Sequence, residues 1–136
     1  MALKTGKNLV ELADKLTQSA DAIHARLMKA IKGKQVDQAM AQRIFQDEVV
    51  LRQRANALYL NAAHCVVGEL QPTQKSVLEL VDVANDRITR IKSISLCIDL
   101  IADLLVLAAA ACAAKAGPIV AALQEVEKDV DEIGDK

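Results

Sequence analysis

Near the N-terminus, Leu9, Leu12, Leu16, Ala20, Ile23, Leu27 and Ile31 follow one another at spacings of 3, 4, 4, 3, 4 and 4 residues. Only an α-helix brings such positions onto one stripe, and the stripe has to be buried against other helices. The pattern repeats after eleven residues rather than seven, which predicts a nearly straight helix or slight right-handed coiling. Val77, Leu80, Ala84, Ile88 and Ile91 begin the same way, at spacings of 3, 4, 4 and 3, so these two segments are expected to lie along each other. Ile119, Leu123, Val126, Val130 and Ile133 form a further stripe, with acidic residues elsewhere on the same segment. No stretch sustains a period of two between turn signals, so no strand is needed.

Glycine and proline divide the chain at Gly33, at Gly68 and Pro72, and at Gly117 and Pro118. Helices are predicted near 5–32, 35–69, 73–115 and 118–133. The fold expected is all-α, a single domain over 1–136. It is an antiparallel up-down four-helix bundle with a long central third helix and a short C-terminal fourth. A chain of 136 residues can bury a core without disulfide or metal staples. Hydrophobic residues make up 52% of it, yet Phe45 and Tyr59 are the only aromatics. A core so poor in bulk is best filled by long helices in close contact.

The third segment contains the run Leu104–Ala114, LLVLAAAACAA, preceded by Asp99 and Asp103. Predicted helix lengths of roughly 42, 52, 64 and 24 Å let all four helices overlap only at one end. That end includes residues 94–114, so the run is expected to be wrapped by its three neighbours. At 100° per residue Asn85, Lys92 and Asp99 fall nearly on one line, with Asp103 about 40° away, as a polar strip reaching water. From Ile94 to Ala114, 18 of 21 residues are apolar. Their nine Leu, Ile and Val residues favour membrane insertion by about 3 to 5 kcal/mol, and the two aspartates oppose it by about 5 to 7. Spontaneous spanning therefore loses. A membrane-active, pore-forming-type protein that inserts 94–114 when Asp99 and Asp103 are protonated stays as the alternative reading.

Helix 2 carries more apolar surface than one core needs. Its main stripe is Met40, Ile44, Leu51, Ala55, Leu58, Ala62 and Val66. A second stripe, about 130° round, contains Phe45, Val49, Tyr59, Leu60, Ala63, Val67 and Leu70. Phe45, Val49, Tyr59, Leu60, Ala63 and Val67 are the candidate partner-binding residues, covered by a protein partner or by a second copy in a homodimer.

Seventeen basic and 18 acidic side chains leave the chain nearly neutral, which argues against a binder of nucleic acid. Residues 1–34 carry a net +4 and residues 118–136 a net −4, so the first and last segments are expected side by side. Cys65, Cys97 and Cys112, odd in number and without a C-x-x-C pair, suggest reduced thiols in a cytoplasmic protein. The N-terminus shows no apolar signal region. His24 and His64 lack the companions a zinc or diiron site needs, and no phosphate loop or nucleophile motif is present. No metal, cofactor or catalytic residue is expected. Antiparallel helical bundles serve bacterial adaptors, immunity proteins, inhibitors and pore-forming toxins alike, so fold likeness does not choose among them. The expectation is a non-catalytic helical interaction module of adaptor, inhibitor or immunity type, self-associating through helix 2.

Overall fold

The computed structural model describes residues 5–66 and 74–134, and among these the chain is all-helical, with no strand. Five α-helices follow in order: α1 (Gly6–Lys32), α2 (Gln38–Leu60), α3 (Gln74–Arg90), α4 (Ile98–Ala113) and α5 (Ala116–Ile133), with 3-10 turns at Ala62–His64 and Ile94–Cys97. The four-helix expectation is corrected to five, because the long third segment breaks between residues 91 and 97.

Local chemistry sets the ends of α1 and α2. Thr5 and Asn8 form a reciprocal capping box at the start of α1. Gly33 and the left-handed Lys34 (φ 57°) stop it. The Asp37 carboxylate accepts the Met40 N–H at 2.8 Å and starts α2. Asn61 ends α2 by returning its side-chain amide to the Ala57 carbonyl at 3.0 Å, nine residues before the predicted end at 69. Residues 67–73 lie outside the described residues.

Side-chain bonds across helices give the directions. Tyr59 with Asp14, Arg52 with Asp21 and Glu48 with His24 make α2 antiparallel to α1. Lys15 with Asp82, Ser19 with Asn85 and Arg26 with Ile91 make α3 parallel to α1. Arg54 reaches back to the Leu105 carbonyl at 2.8 Å, while its own carbonyl accepts from Cys112 Sγ at 3.5 Å, so α4 descends alongside α2. Asp99 and Leu100 at the start of α4 meet Asp129 and Ile133 near the end of α5, which therefore climbs. The fourth predicted helix was expected to descend; the extra reversal at 91–97 inverts it. It also begins at Ala116 rather than 118, with Gly117 and Pro118 inside its first turn, where a missing N–H costs nothing.

The helices close a ring in the spatial order α1, α2, α4, α5, α3, each packed on two neighbours. Leu9, Leu12, Leu16, Ile23 and Leu27 of α1, Leu51 and Leu58 of α2, Ile88 of α3 and Leu104 and Leu107 of α4 are fully buried inside it. The whole α5 stripe is buried as its spacing predicts. On α3, Val81 takes the fully buried place expected of Leu80, which is half-buried. Since α3 stands between α1 and α5, the oppositely charged first and last segments do not pack side by side as expected.

The break has no glycine or proline. Ile91, Ser93, Ile94 and Ser95 are β-branched or serine residues with only middling helix preference, and Ser93 is extended (φ −136°, ψ 131°). Ending α3 here frees backbone carbonyls, and Arg26 of α1 donates to that of Ile91. The Ser93 and Ser95 hydroxyls bond each other at 2.8 Å. Consequently Asn85, Lys92, Asp99 and Asp103 do not share a strip. Asn85 turns inward, with its amide on the Lys15 carbonyl (3.2 Å) and its oxygen accepting from buried Ser19. Truncating Arg26→Ala should lower unfolding free energy by roughly 1.5–3 kcal/mol, the scale for a charged donor on a partly buried carbonyl. Urea denaturation monitored by circular dichroism measures the loss; an unchanged midpoint would refute this role.

Candidate interaction surface

The outer seam between α1 and α2 carries the residues singled out on helix 2. At its lower end the Tyr59 hydroxyl donates to the Asp14 carboxylate. In its middle, Arg52 donates through Nη1 to Asp21 (2.8 Å) and through Nε to Glu48 (2.9 Å), whose other oxygen meets His24 Nδ1 at 2.9 Å. Glu48 is the buried member of this chain, with its side chain 5% exposed. Its two partners explain how a carboxylate is accommodated there. The second apolar stripe is therefore not a continuous greasy band: a polar ladder occupies its centre and seals the seam.

Apolar surface remains at both ends of the ladder. Leu60, the last residue of α2, is 76% exposed, and Tyr59 is 36% exposed despite its bond to Asp14. At the upper end Leu27, Met28 and Ile31 of α1 face Val36, Ala41 and Phe45 across an open apolar groove of about 410 Å³. Met28 is 41%, Ile31 46% and Phe45 48% exposed, with Val49 beside them. Helix length explains the opening. With 27 residues α1 spans about 40 Å, whereas α3 with 17 spans about 26 Å and stops opposite Arg26. The last residues of α1 project past the end of α3; Leu27 and Ala30 stay buried and the 3-10 turn Ile94–Cys97 packs on α1, while Met28, Ile31 and Phe45 are left open. The spacing assigns Ile31 to the core, and the projection leaves it exposed instead. Of the candidate partner-binding residues, Phe45, Val49, Tyr59 and Leu60 are exposed as expected. Val67 lies outside the described residues, as does the side chain of Ala63. Met28 was not singled out by any stripe.

The helix carrying LLVLAAAACAA has two neighbours, α2 and α5, rather than the three expected. Leu104, Leu107, Ala108, Ala110 and Ala111 turn into the ring, while Val106 is 53% exposed on the outside. The stretch Ile94–Ala113 has a mean hydropathy of 2.3 and is long and apolar enough to cross a membrane by length and composition alone. A buried core helix meets the same criterion.

Asp99 is exposed on the first turn of α4 and Asp103 is partly covered one turn later. Asp99 faces Asp129 and Glu132 of α5 around a small hollow also lined by Leu96 and Ile133. Asp129 is buried, and its Oδ2 has no hydrogen-bond partner. Burial, then the charges of Asp99 and Glu132, raise its carboxyl above the ordinary range. Among the described residues no group of three or more His, Cys, Asp or Glu side chains is arranged to hold a metal ion.

The Asp129 environment fixes the sign of a pH effect. A carboxyl raised in the folded state binds its proton more tightly there, so its ionisation penalises folding at neutral pH, and acidification removes that penalty. Asp129→Asn should therefore be more stable than the parent chain at pH 7, and the gap should close as pH falls toward the ordinary carboxylate range. Thermal midpoints of both proteins from pH 7 to pH 4 check this; a gap that widens on acidification contradicts it.

Comparison with protein-family models, with curated proteins and with solved structures finds no match to this chain.

Proposed function

We propose that this chain is a non-catalytic helical interaction module, of adaptor or inhibitor type, that self-associates or holds a protein partner through the projecting end of the α1–α2 hairpin. The observation that supports this reading is the open groove between Met28 and Ile31 on one helix and Phe45 on the next. Large apolar side chains clustered at a projecting end, and rimmed by charge, have the makeup of an association surface. Cysteines kept reduced suit a cytoplasmic setting.

The rim adds a further constraint. Lys29, Lys32 and Lys34 are exposed on the segment next to the groove, against one acidic lining residue, Asp37, so two copies meeting there bring net positive rims together. Self-association should consequently strengthen as salt screens the lysines, in contrast to an interface built from opposite charges. Sedimentation velocity on the purified chain tests this. Dimers should form at high protein concentration, increase with ionic strength, and vanish in Phe45→Glu while the thermal midpoint is retained. A chain that stays monomeric at every concentration and salt level would dispose of self-association.

A second reading rests on the outer side of α4 and the turn before it, where Leu96 and Val106 are each about half exposed. In it, the α4–α5 pair meets a lipid surface under acid conditions. Protonation of Asp129 removes its repulsion from Asp99 and Glu132, so acid tightens α4 onto α5 and the two helices would have to move together. Dye leakage from anionic liposomes at pH 5 but not at pH 7 is the expected result for this reading. Absence of leakage at both pH values removes it.

A further inference from the structure

Three cysteines are distributed over the ring, and two of them meet. Cys65, just after the 3-10 turn that follows α2, is buried, and its Sγ–H donates to the Cys112 carbonyl near the end of α4 at 3.5 Å. The Cys112 thiol in turn donates to the Arg54 carbonyl of α2 at 3.5 Å. Cys65 Sγ thus lies against the backbone of Cys112, and the two residues meet between the ends of α2 and α4 although 47 positions separate them in the chain. Cys97 sits elsewhere, fully buried at the reversal between α3 and α4.

We infer that Cys65 and Cys112 form a redox-modification site, closing to an intramolecular disulfide when a peroxide or a small-molecule disulfide reaches them. Cys112 is the more accessible thiol and reacts first. With hydrogen peroxide, its thiolate attacks one oxygen, the O–O bond breaks, and a sulfenic acid and water result. Cys65 then attacks the sulfenic sulfur; the S–O bond breaks as the S–S bond forms, and a second water leaves with the Cys65 proton. In balance, two thiols lose two hydrogens and one peroxide becomes two waters.

Each thiol donates a hydrogen bond to a backbone carbonyl, which holds the proton in place. Burial and then the neighbouring Cys65 raise the Cys112 thiol above its usual range, and the nearby Arg54 charge only partly offsets them. Reaction is consequently slow at neutral pH and accelerates as pH rises, because the thiolate is the nucleophile. Cys97 supplies an internal control: burial pushes it up to about 11, and it has no thiol neighbour among the described residues. The bond would tie the segment after α2 to α4, closing a long loop and restraining the unfolded chain.

The test oxidises the folded wild-type chain with hydrogen peroxide, and separately with oxidised glutathione, then quenches, digests and maps it by mass spectrometry. The expected product is a monomer about 2 Da lighter with one cross-linked peptide pair joining Cys65 to Cys112. Thiols titrated in denaturant should fall from the three of the sequence to one. The thermal midpoint should rise by roughly 5 °C or more and return on reduction with dithiothreitol. Oxidation should be faster at pH 8.5 than at pH 7. Cys65→Ser and Cys112→Ser should each abolish the cross-link; the peptide map of the wild-type chain decides the question even where a variant folds poorly. Three titratable thiols after oxidation, a disulfide that includes Cys97, a disulfide between two chains, or sulfinic acid at Cys112 without a cross-link would each overturn the inference.

Discussion

The contact between Arg26 and the Ile91 carbonyl is the point on which the architecture turns. A helix that ends inside a protein exposes carbonyls with no partner, and here the guanidinium of a neighbouring helix supplies one. Because α3 can stop there, the apolar segment after it folds back beside α2 instead of running on past the end of α1. From that reversal follow the upward course of α5, the position of α3 between α1 and α5, and the closed five-membered ring. The ring interior is filled mainly by aliphatic side chains and has no aromatic, which suits a chain with one Phe and one Tyr, both on its outside.

The same reversal shapes the surface. Past the end of α3 only the 3-10 turn Ile94–Cys97 packs on α1, and the groove around Phe45 stays open beside it. Below it, the ladder from His24 through Glu48 and Arg52 to Asp21 adds charge pairing to two helices whose inner faces pack through buried leucines. Such bonds fix register between antiparallel helices without adding greasy surface.

The stripe of α5, and that of α1 as far as Leu27, were legible in the sequence because their spacing is regular and each meets one continuous core. The break at 91–97 was not, because its cause is shared between weak local preference in Ile91 to Ser95 and a partner 65 positions away at Arg26. Without the break, the descending course of α4 and the inward turn of Asn85 could not be inferred. On helix 2 the exposure of Phe45 and Leu60 followed from counting apolar faces. The polar ladder did not, since only its Glu48–Arg52 step lies within one helix; Asp21 and His24 come from the other. Met28 and Ile31 were missed because their exposure depends on the unequal lengths of α1 and α3, and that inequality appears only once α3 is known to end early.

The order of helices around the ring has a bearing on how the chain reaches its native state. The pairs α1–α2 and α4–α5 join segments adjacent in sequence, so each can assemble as a local unit with little loop closure. The third helix alone has no sequence-adjacent helix among its packed neighbours, which are α1 and α5. It is the keystone of a circle otherwise made of two independent halves, and cooperativity between those halves has to pass largely through its aliphatic face and through the single seam where α2 meets α4.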